Sequence, residues 1–438
     1  MNTLLSALRA LRRGQTDPVE LTEEALRRAQ ECRSHNAVAT LTAQAARARA
    51  WELHAAAEPV GPLHGMPITV KDLFAVRGTA MRAGTRAPMP AALAGTDTEA
   101  LAVTRMRAAG AVVLGTTNMV EIAMGITGDN PVTGDVGNAH DPSRQAGGSS
   151  SGSAVAVALG IGLASLGSDT AGSIRIPAAL NGVVGLKPSY RMVPLDGALA
   201  LSVTCDHGGP LTRTVADARL MLSVLAGRDV AAHPVSVPRF GVPWRFLDGR
   251  LGVGVRECFG RLVDRLGAAG ARVVDARLPD VEALLSGYNP LTRPEAAWVH
   301  RAALEQDPDL FTPSVRDALL EGRRYSALDY LAARQVRADA RRRLAAELSG
   351  FDALLLPGAP VPAPPRGTVE VELESGRVPH RTAFLPFTLP FSVTGVPAVT
   401  LPMGLVDDLP VGVQLVAGLG ADARLLDLAG WVEVHSSN

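Results

Sequence analysis

Residues 145–189 read QAGGSSSGSAVAVALGIGLASLGSDTAGSIRIPAALNGVVGLKPS. It contains two Gly/Ser-rich segments, one starting at Gln145 and one at Gly167, and each runs into an apolar stretch. Glycines let the backbone approach a ligand closely and point its N–H groups at it. Each segment is therefore either an ordinary turn or a ligand-binding loop, and in the first one we expect Ser153 to cap the helix that follows.

Short apolar runs alternate with helical stretches on both sides of the first segment. In residues 61–226 the runs PITV, AVVLG and GVVGL are typical of strands, whereas TEALAVTRMRAAG and SGSAVAVALGIG are typical of helices. This alternation predicts an α/β layered core. Residues 1–58 predict a helical lead-in. Residues 239–438 predict a further α/β stretch, a hairpin at VEVELESGRV, and two buried strands, AVTLPMG and VGVQLVAG, before a terminal helix.

Composition excludes several classes of function. Lys+Arg and Asp+Glu both number 43, so no basic excess would attract nucleic acid or an anionic membrane surface. Three scattered cysteines form no CxxC pair, which argues against a disulfide framework and a zinc site. No apolar run reaches the ~18 residues of a membrane span. We therefore expect a cytoplasmic globular protein that acts on a small neutral or mixed-charge molecule.

The use of lysine is unusual, because Lys71 and Lys187 are the only lysines and 41 basic residues are arginines. An arginine cannot lose its proton in a protein, whereas a buried lysine can. A surviving lysine is therefore a candidate base, with chance retention as the alternative. Lys71 follows the apolar run MPITV, as a side chain at the end of a buried strand would, and desolvation there favours the neutral amine.

The Gly/Ser-rich segments do not fit two familiar motifs. A phosphate-binding P-loop, GxxxxGK[ST], needs a lysine that neither segment contains. The nucleophile elbow G-x-S-x-G matches Gly148, Ser150 and Gly152 and would make Ser150 the nucleophile, but it needs a buried strand before it, and NAHDPSRQAG is polar. The nine histidines occur singly, without an HExxH motif, so a catalytic serine needs another activator, and Lys71 is the candidate.

Three separated segments together resemble the amidase signature family of serine hydrolases. They are GPLHGMPITVKDLF from Gly61, GGSSSGSAVAVALG from Gly147 and GSDTAGSIRIPAALNGVVGLKPS from Gly167. These motifs are long, ordered and specific, and a looser similarity extends over most of the chain. The resemblance implies a single α/β/α domain over residues 1–438, in which a large mixed β-sheet is covered by helices and residues 61–226 form the signature core.

The resemblance also implies a role for each matched residue. Lys71 matches the family's catalytic lysine, Ser149 its bridging serine, preceded by a cis peptide bond, and Ser173 its nucleophile. The implied reaction is hydrolysis of a small carboxylic amide to a carboxylate and ammonia through an acyl-enzyme, without a cofactor or metal. The implied oxyanion hole consists of four backbone N–H groups, those of Thr170, Ala171, Gly172 and Ser173.

Four residues near the nucleophile carry narrower expectations. Ala171 stands where many relatives have glycine, so its φ should be negative if the hole keeps its geometry. Arg175 either binds a substrate carboxylate, as a nearby arginine does in some members, or forms a structural ion pair, and we favour the ion pair. Asp169 and Asp206 are expected to fix backbone N–H groups and to take no part in catalysis.

Two other functions stay open. One is a glutaminase that serves a tRNA-dependent amidotransferase and belongs to the same family, but the region around TRPEAAWVHRAALEQ lacks the NLxRYDGxRYG-like segment typical of such glutaminases. The other, a catalytically silent binding protein, is disfavoured because all three matched catalytic side chains are present. The substrate pocket is expected near residues 119–130 and 285–385, and oligomeric state, including a homodimer, is left open.

Overall fold

The computed structural model describes residues 3–436. The strands in this range are β1 (Val38–Leu41), β2 (Pro67–Lys71), β3 (Val112–Thr117), β4 (Ala164–Asp169), β5 (Val184–Lys187), β6 (His207–Thr212), β7 (Arg239–Val242), β8 (Arg272–Asp275), β9 (Ala353–Pro357), β10 (Glu370–Leu373), β11 (Gly376–Pro379), β12 (Ala398–Val406) and β13 (Leu409–Val416). The helices are α1 (Leu4–Arg12), α2 (Pro18–Glu31), α3 (Ala43–His54), α4 (Leu101–Ala108), α5 (Ser151–Leu159), α6 (Arg175–Asn181), α7 (Val215–Ala226), α8 (Trp244–Leu247), α9 (Val253–Ala268), α10 (Val281–Val299), α11 (Arg301–Gln306), α12 (Pro313–Gly322), α13 (Ala327–Leu348), α14 (His380–Thr394) and α15 (Asp422–Ser436).

One eleven-stranded sheet runs through the described residues in the order β1-β3-β2-β4-β6-β5-β12-β13-β9-β7-β8. β2 is parallel to β3 and β4, β7 is parallel to β8 and β9, and β12 pairs antiparallel with both β5 and β13. The sheet is therefore mixed, which confirms the predicted α/β class and large mixed sheet. The sheet contains strands from the lead-in (residues 1–58), the signature core (residues 61–226) and the C-terminal part (residues 239–438).

The central strands are covered on both faces. All five residues of β2 and all six of β4 are buried. Because successive side chains of a strand point to opposite faces, helices and loops must cover both sides of the sheet at this point. Because Lys71 ends β2, the covering of the sheet is sufficient to remove its side chain from water.

Three local predictions can be compared with the structure. VEVELESGRV does form a hairpin, with Glu370 paired to Pro379 and Leu373 to Gly376. The lead-in is not purely helical, because the four-residue β1 pairs antiparallel with β3 at the edge of the sheet. The expected cap at Ser153 is wrong, since α5 already begins at Ser151 and the Ser153 hydroxyl lies 2.8 Å from the Thr117 hydroxyl.

Some features are absent from residues 3–436. No helix in that range combines the length and apolar character that crossing a bilayer requires. The same part of the chain holds no group of three or more His, Cys, Asp or Glu side chains suited to a metal ion. Cys32, Cys205 and Cys258 are free thiols.

Candidate active site

Lys71 is the last residue of β2, and its side chain is fully buried. Its Nζ atom lies 2.7 Å from Ser149 Oγ and 2.8 Å from Ser168 Oγ. Burial lowers the pKa of Lys71 to about 7, although the negative charges of Asp169 and Asp206 act in the opposite direction. Near neutral pH a large share of the molecules therefore carry the neutral amine, which has a lone pair able to accept a proton.

Ser149 and Ser150 occupy the turn before α5, and the peptide bond between Gly148 and Ser149 is cis, as the family resemblance implied. Ser149 points its hydroxyl at Lys71. Ser150 is buried, and its hydroxyl donates to the carbonyl of Ser168 at 3.0 Å. No strand immediately precedes this turn, and the Ser150 hydroxyl is committed to the backbone. The geometry therefore disfavours the nucleophile elbow.

Ser173 lies in the loop of residues 170–174, between the end of β4 and the start of α6. The backbone N–H of Ser150 donates to the carbonyl of Ser173 at 3.1 Å, which ties this loop to the Ser149 turn. Gly172 has a φ of 134°, and a Cβ built there would come within 2.3 Å of Thr388 Oγ1. Only glycine fits, so α14 and the turn fix the backbone that presents Ser173.

The expected oxyanion hole needs one correction. The N–H of Gly172 donates to Asp169 Oδ1 at 2.8 Å, so this donor is already used inside the protein. The candidate donors that remain are the N–H groups of Thr170, Ala171 and Ser173. Ala171 is not among the residues with positive φ, and its carbonyl accepts a hydrogen bond from Thr388 Oγ1 at 2.6 Å. The alanine is thus accommodated, because Gly172 carries the unusual backbone conformation.

Arg175 forms a buried ion pair, which contradicts the alternative that it binds substrate. Its guanidinium is fully buried and contacts Asp169 through Nε and Nη2, both at 2.9 Å. Nη1 donates to Gln414 Oε1 at 2.7 Å, and Nη2 also donates to Ser392 Oγ at 2.6 Å. Burial alone would raise the pKa of Asp169, but the charge and hydrogen bonds of Arg175 outweigh it and hold that pKa well below its usual range.

We expect Arg175→Met to lower the free energy of unfolding by about 3–5 kcal/mol, because it leaves the Asp169 carboxylate buried without its partner. Urea unfolding followed by circular dichroism measures this change. Arg377→Met is the matched control, since its ion pair with Glu372 is exposed (78% and 71%) and such pairs contribute about 1 kcal/mol or less. Equal losses in the two variants would contradict this account of Arg175.

Asp206 and His207 both form hydrogen bonds with groups inside the protein, and for Asp206 these include the backbone N–H groups that the sequence analysis expected. The Asp206 carboxylate accepts hydrogen bonds from the N–H groups of Leu201 and Ser202 at 2.8 and 2.9 Å and from the Thr170 hydroxyl at 2.6 Å. Burial raises the pKa of Asp206 to about 6, and these hydrogen bonds oppose the shift. The ring of His207 is buried, with Nδ1 2.7 Å from the carbonyl of Cys205. Burial holds the pKa of His207 well below its usual value.

The second lysine, Lys187, is equally buried but has a different environment. Its Nζ donates to the carbonyls of Val396 at 2.5 Å and Pro188 at 3.2 Å. Burial, reinforced by the positive charge of Arg175, lowers the pKa of Lys187 to about 7 as well. The rarity of lysine therefore singled out two buried lysines, and only Lys71 contacts serine hydroxyls.

Two cavities that share part of their lining lie beside Ser168 and Ser173. Cavity A, of about 170 Å³, is lined by Ser173 and by side chains from four segments, residues 123–126, 288–293, 314–318 and 381–385. These segments fall inside the two regions expected to form the substrate pocket. Cavity B, of about 530 Å³, is lined mainly by residues 190–203 and also by Ser168. A wall of three residues borders both cavities, namely Ala123, Thr170 and Leu201.

The wall segment after β3 is held in an unusual conformation. Ile122 and Ala123 have φ values of 41° and 63°, which lie in the left-handed region that residues other than glycine seldom adopt. The buried carboxylate of Glu121 anchors the segment, because it accepts hydrogen bonds from the hydroxyls of Thr85 and Thr312. This arrangement keeps Ala123 between the two cavities.

The sequence did not indicate several residues that complete the site. Ser168 is the second partner of Lys71, and its only sequence signal was its place in the segment GSDTAGS. Thr388, which supports the nucleophile loop, lies in α14, more than 200 residues further along the chain. Arg293 and Arg381 line cavity A, and Arg293 pairs with Glu321. Such contacts depend on packing between distant helices.

In this structure a large mixed sheet places a buried lysine against two serine hydroxyls, beside a cavity of about 170 Å³. A family model described as Amidase matches residues 20–426. The chain therefore belongs to the amidase family.

Individual relatives agree with this assignment. The glutamyl-tRNA(Gln) amidotransferase subunit of Deinococcus radiodurans is 35% identical, over 98% of this chain and 96% of that protein. AtzE, which forms part of the 1-carboxybiuret hydrolase of Pseudomonas sp. strain ADP, is also 35% identical, over 87% of each chain. The relatives thus include components of both an amidotransferase and a hydrolase.

Solved structures support the same fold. A crystal structure described as an amidase superposes with a TM-score of 0.96 at 54% identity, covering 99% of each chain. The peptide amidase of Stenotrophomonas maltophilia superposes with a TM-score of 0.81 at 29% identity, over 99% of this chain and 97% of that one.

Proposed function

We propose that this protein hydrolyses a small carboxylic amide to a carboxylate and ammonia through an acyl-enzyme on Ser173, with Lys71 as base acting through Ser149. The observation that carries the proposal is the 2.7 Å contact between the buried Lys71 amine and the Ser149 hydroxyl. No other lysine in the sequence contacts a serine hydroxyl in this way, since Lys187 bonds only carbonyls.

The first step is attack on the amide carbonyl. Ser173 Oγ forms a bond to the carbonyl carbon while its proton passes to Ser149 Oγ, and the proton of Ser149 passes to the neutral amine of Lys71. The Ser168 hydroxyl is a second contact of Nζ, at 2.8 Å, and helps to hold the amine in position. The negative charge that develops on the substrate oxygen is stabilised by the N–H groups of Thr170, Ala171 and Ser173, each worth about 3 kcal/mol in such a site.

The second step returns the proton. The ammonium of Lys71 reprotonates Ser149, which protonates the leaving nitrogen, and the C–N bond breaks to release ammonia. Water then attacks the ester carbonyl of the acyl-enzyme, with the same relay removing its proton. Ser173 is regenerated and the carboxylic acid is released, so the net reaction consumes one water per amide.

The pH dependence follows from the protonation state of Lys71. Because the base must be neutral and its pKa lies at about 7, we expect kcat/KM to fall about tenfold per pH unit below that value and to level off above it. A pH profile of kcat/KM between pH 5 and 9 measures this. A profile that stays flat across this range would contradict a titrating lysine in the mechanism.

Cavity A supports a short acyl group, because its small wall combines polar side chains with apolar ones such as Met124, Ile126 and Leu385. Its volume is about 170 Å³, and its wall contains Asn289, Thr292, Arg293, Ser314 and Arg381. The direct test is ammonia release from a panel of aliphatic, aromatic and amino-acid amides, including glutamine and amides with a free carboxylate. Release that disappears in Ser173→Ala supports the proposal and identifies the acyl preference. Release that persists in that variant contradicts it.

A glutaminase that feeds ammonia to a partner protein is the second candidate. It is favoured by the 35% identity to the amidotransferase subunit of Deinococcus radiodurans over nearly the full length of both chains. The sequence disfavours it through the missing NLxRYDGxRYG-like segment. Glutamine hydrolysis that requires an added partner would favour this candidate, and turnover by the isolated chain favours the free-standing amidase.

A further inference from the structure

Cavity B is more than three times as large as cavity A, yet the proposed release of ammonia leaves it without a use. The two volumes are about 530 and 170 Å³. An ammonia molecule is about the size of water, whose share of liquid volume is about 30 Å³. A cavity of this size next to the reacting groups has room for a substantial part of the substrate.

The position of cavity B relative to the proton relay indicates which part of the substrate it holds. Ser168 lines cavity B and contacts Lys71 Nζ at 2.8 Å, whereas Ser173 and Ala171 line cavity A. The leaving nitrogen must receive its proton from the relay of Lys71 and Ser149, so the group on nitrogen points towards the lysine side of the nucleophile. The acyl group is then left for cavity A.

The chemistry of the cavity B wall indicates the kind of group. Its lining is mainly aliphatic, from Leu73, Val193, Leu195, Leu199 and Leu201. Removing apolar surface from water is favourable in proportion to its area, so such a wall favours an apolar group over a polar one. The charged groups of the lining do not alter this preference, because Arg191 and Asp196 lie at the exposed edge and the Asp206 carboxylate is already hydrogen-bonded within the protein.

We propose that the same site also hydrolyses secondary amides, and prefers those whose nitrogen carries an apolar group of benzyl or phenyl size bound in cavity B. This inference rests on the proposed Ser173 mechanism and changes only the leaving group. The nitrogen accepts the proton of Ser149, the C–N bond breaks, and a primary amine leaves in place of ammonia. Water completes the hydrolysis, so the products are a carboxylic acid and an amine.

The test compares two amides of one acid, the best primary amide of the panel and its N-benzyl derivative. We expect kcat/KM of the purified full chain to be at least about tenfold higher for the N-benzyl amide, from the apolar area that cavity B buries. Ala200→Phe narrows cavity B and is expected to lower the ratio of the two kcat/KM values by about tenfold or more. Ala318→Phe narrows cavity A and should lower both values while leaving their ratio nearly unchanged.

A second variant guards against misfolding of the first. Val203 lies at the edge of cavity B and is 59% exposed, so Val203→Trp can narrow the opening without entering the core. A wild-type preference for the primary amide, or a ratio unmoved by both narrowing variants, would overturn the inference. If instead Ser173→Ala hydrolyses both amides as well as the wild type does, the proposed Ser173 mechanism itself fails. Failure of the mechanism can thus be distinguished from failure of the inference about cavity B.

Discussion

Replacing Ser173 with alanine is expected to lower kcat/KM for amide hydrolysis by about 10⁴-fold or more, because members of a catalytic unit fail together when the nucleophile is lost. The side chain is nearly buried and lines cavity A, so removing one oxygen there changes the chemistry and hardly alters the packing. Steady-state release of carboxylate, measured for wild type and variant at equal concentrations of folded protein, gives the size of the loss.

Ser151→Ala is the matched control for that variant. Ser151 lies in the same Gly/Ser-rich part of the chain, is fully buried, and its hydroxyl has no hydrogen-bond partner among the described residues. We expect it to keep nearly all of the activity. Retained turnover in Ser173→Ala would contradict the assignment of the nucleophile, and Ser150→Ala would then test the elbow alternative.

Replacing Lys71 with methionine is expected to cause a loss of similar size, about 10⁴-fold, since Ser149 then has no acceptor for its proton. Methionine fills much of the buried volume, so the effect on folding is kept small. Lys71→Arg should be equally inactive, because a guanidinium stays protonated in a protein and cannot accept a proton. Kinetics above pH 8, where wild-type Lys71 is mostly neutral, give the clearest comparison.

Lys187→Met is the control that separates chemistry from burial. Lys187 is fully buried, as Lys71 is, and its pKa is also lowered to about 7, but its partners are the carbonyls of Pro188 and Val396. Its replacement leaves buried carbonyls unsatisfied, so stability should fall by about 1–3 kcal/mol while activity per folded molecule is retained. Equal loss of activity in the Lys71 and Lys187 variants would show that the effect comes from folding.

The sequence predicted the parts of the site that depend on local pattern. A run of buried β-type residues before Lys71 indicated a strand that ends inside the protein, and β2 ends there. The resemblance to the amidase signature family identified Ser149 and Ser173 as candidates. In the structure the Ser149 hydroxyl contacts Lys71 Nζ, and a backbone hydrogen bond links the turn of Ser149 and Ser150 to the Ser173 loop.

The remaining parts depend on contacts that sequence patterns do not carry. Whether the N–H of Gly172 is free depends on the orientation of the Asp169 carboxylate. In the structure this carboxylate accepts a hydrogen bond from that N–H. β1 was missed because four residues at a sheet edge give a weak period-two signal. Part of the wall of cavity A comes from α10, α12 and α14, which are distant in sequence from the signature core.

The proposed mechanism requires that the acyl group of the substrate is transferred to Ser173. Mass spectrometry of the protein quenched with acid during turnover, followed by proteolysis, measures this directly. We expect the mass of the acyl group on the peptide that contains Ser173, and its absence in Ser173→Ala. Turnover with no acylated peptide, or an acyl group on Ser150 instead, would contradict the account.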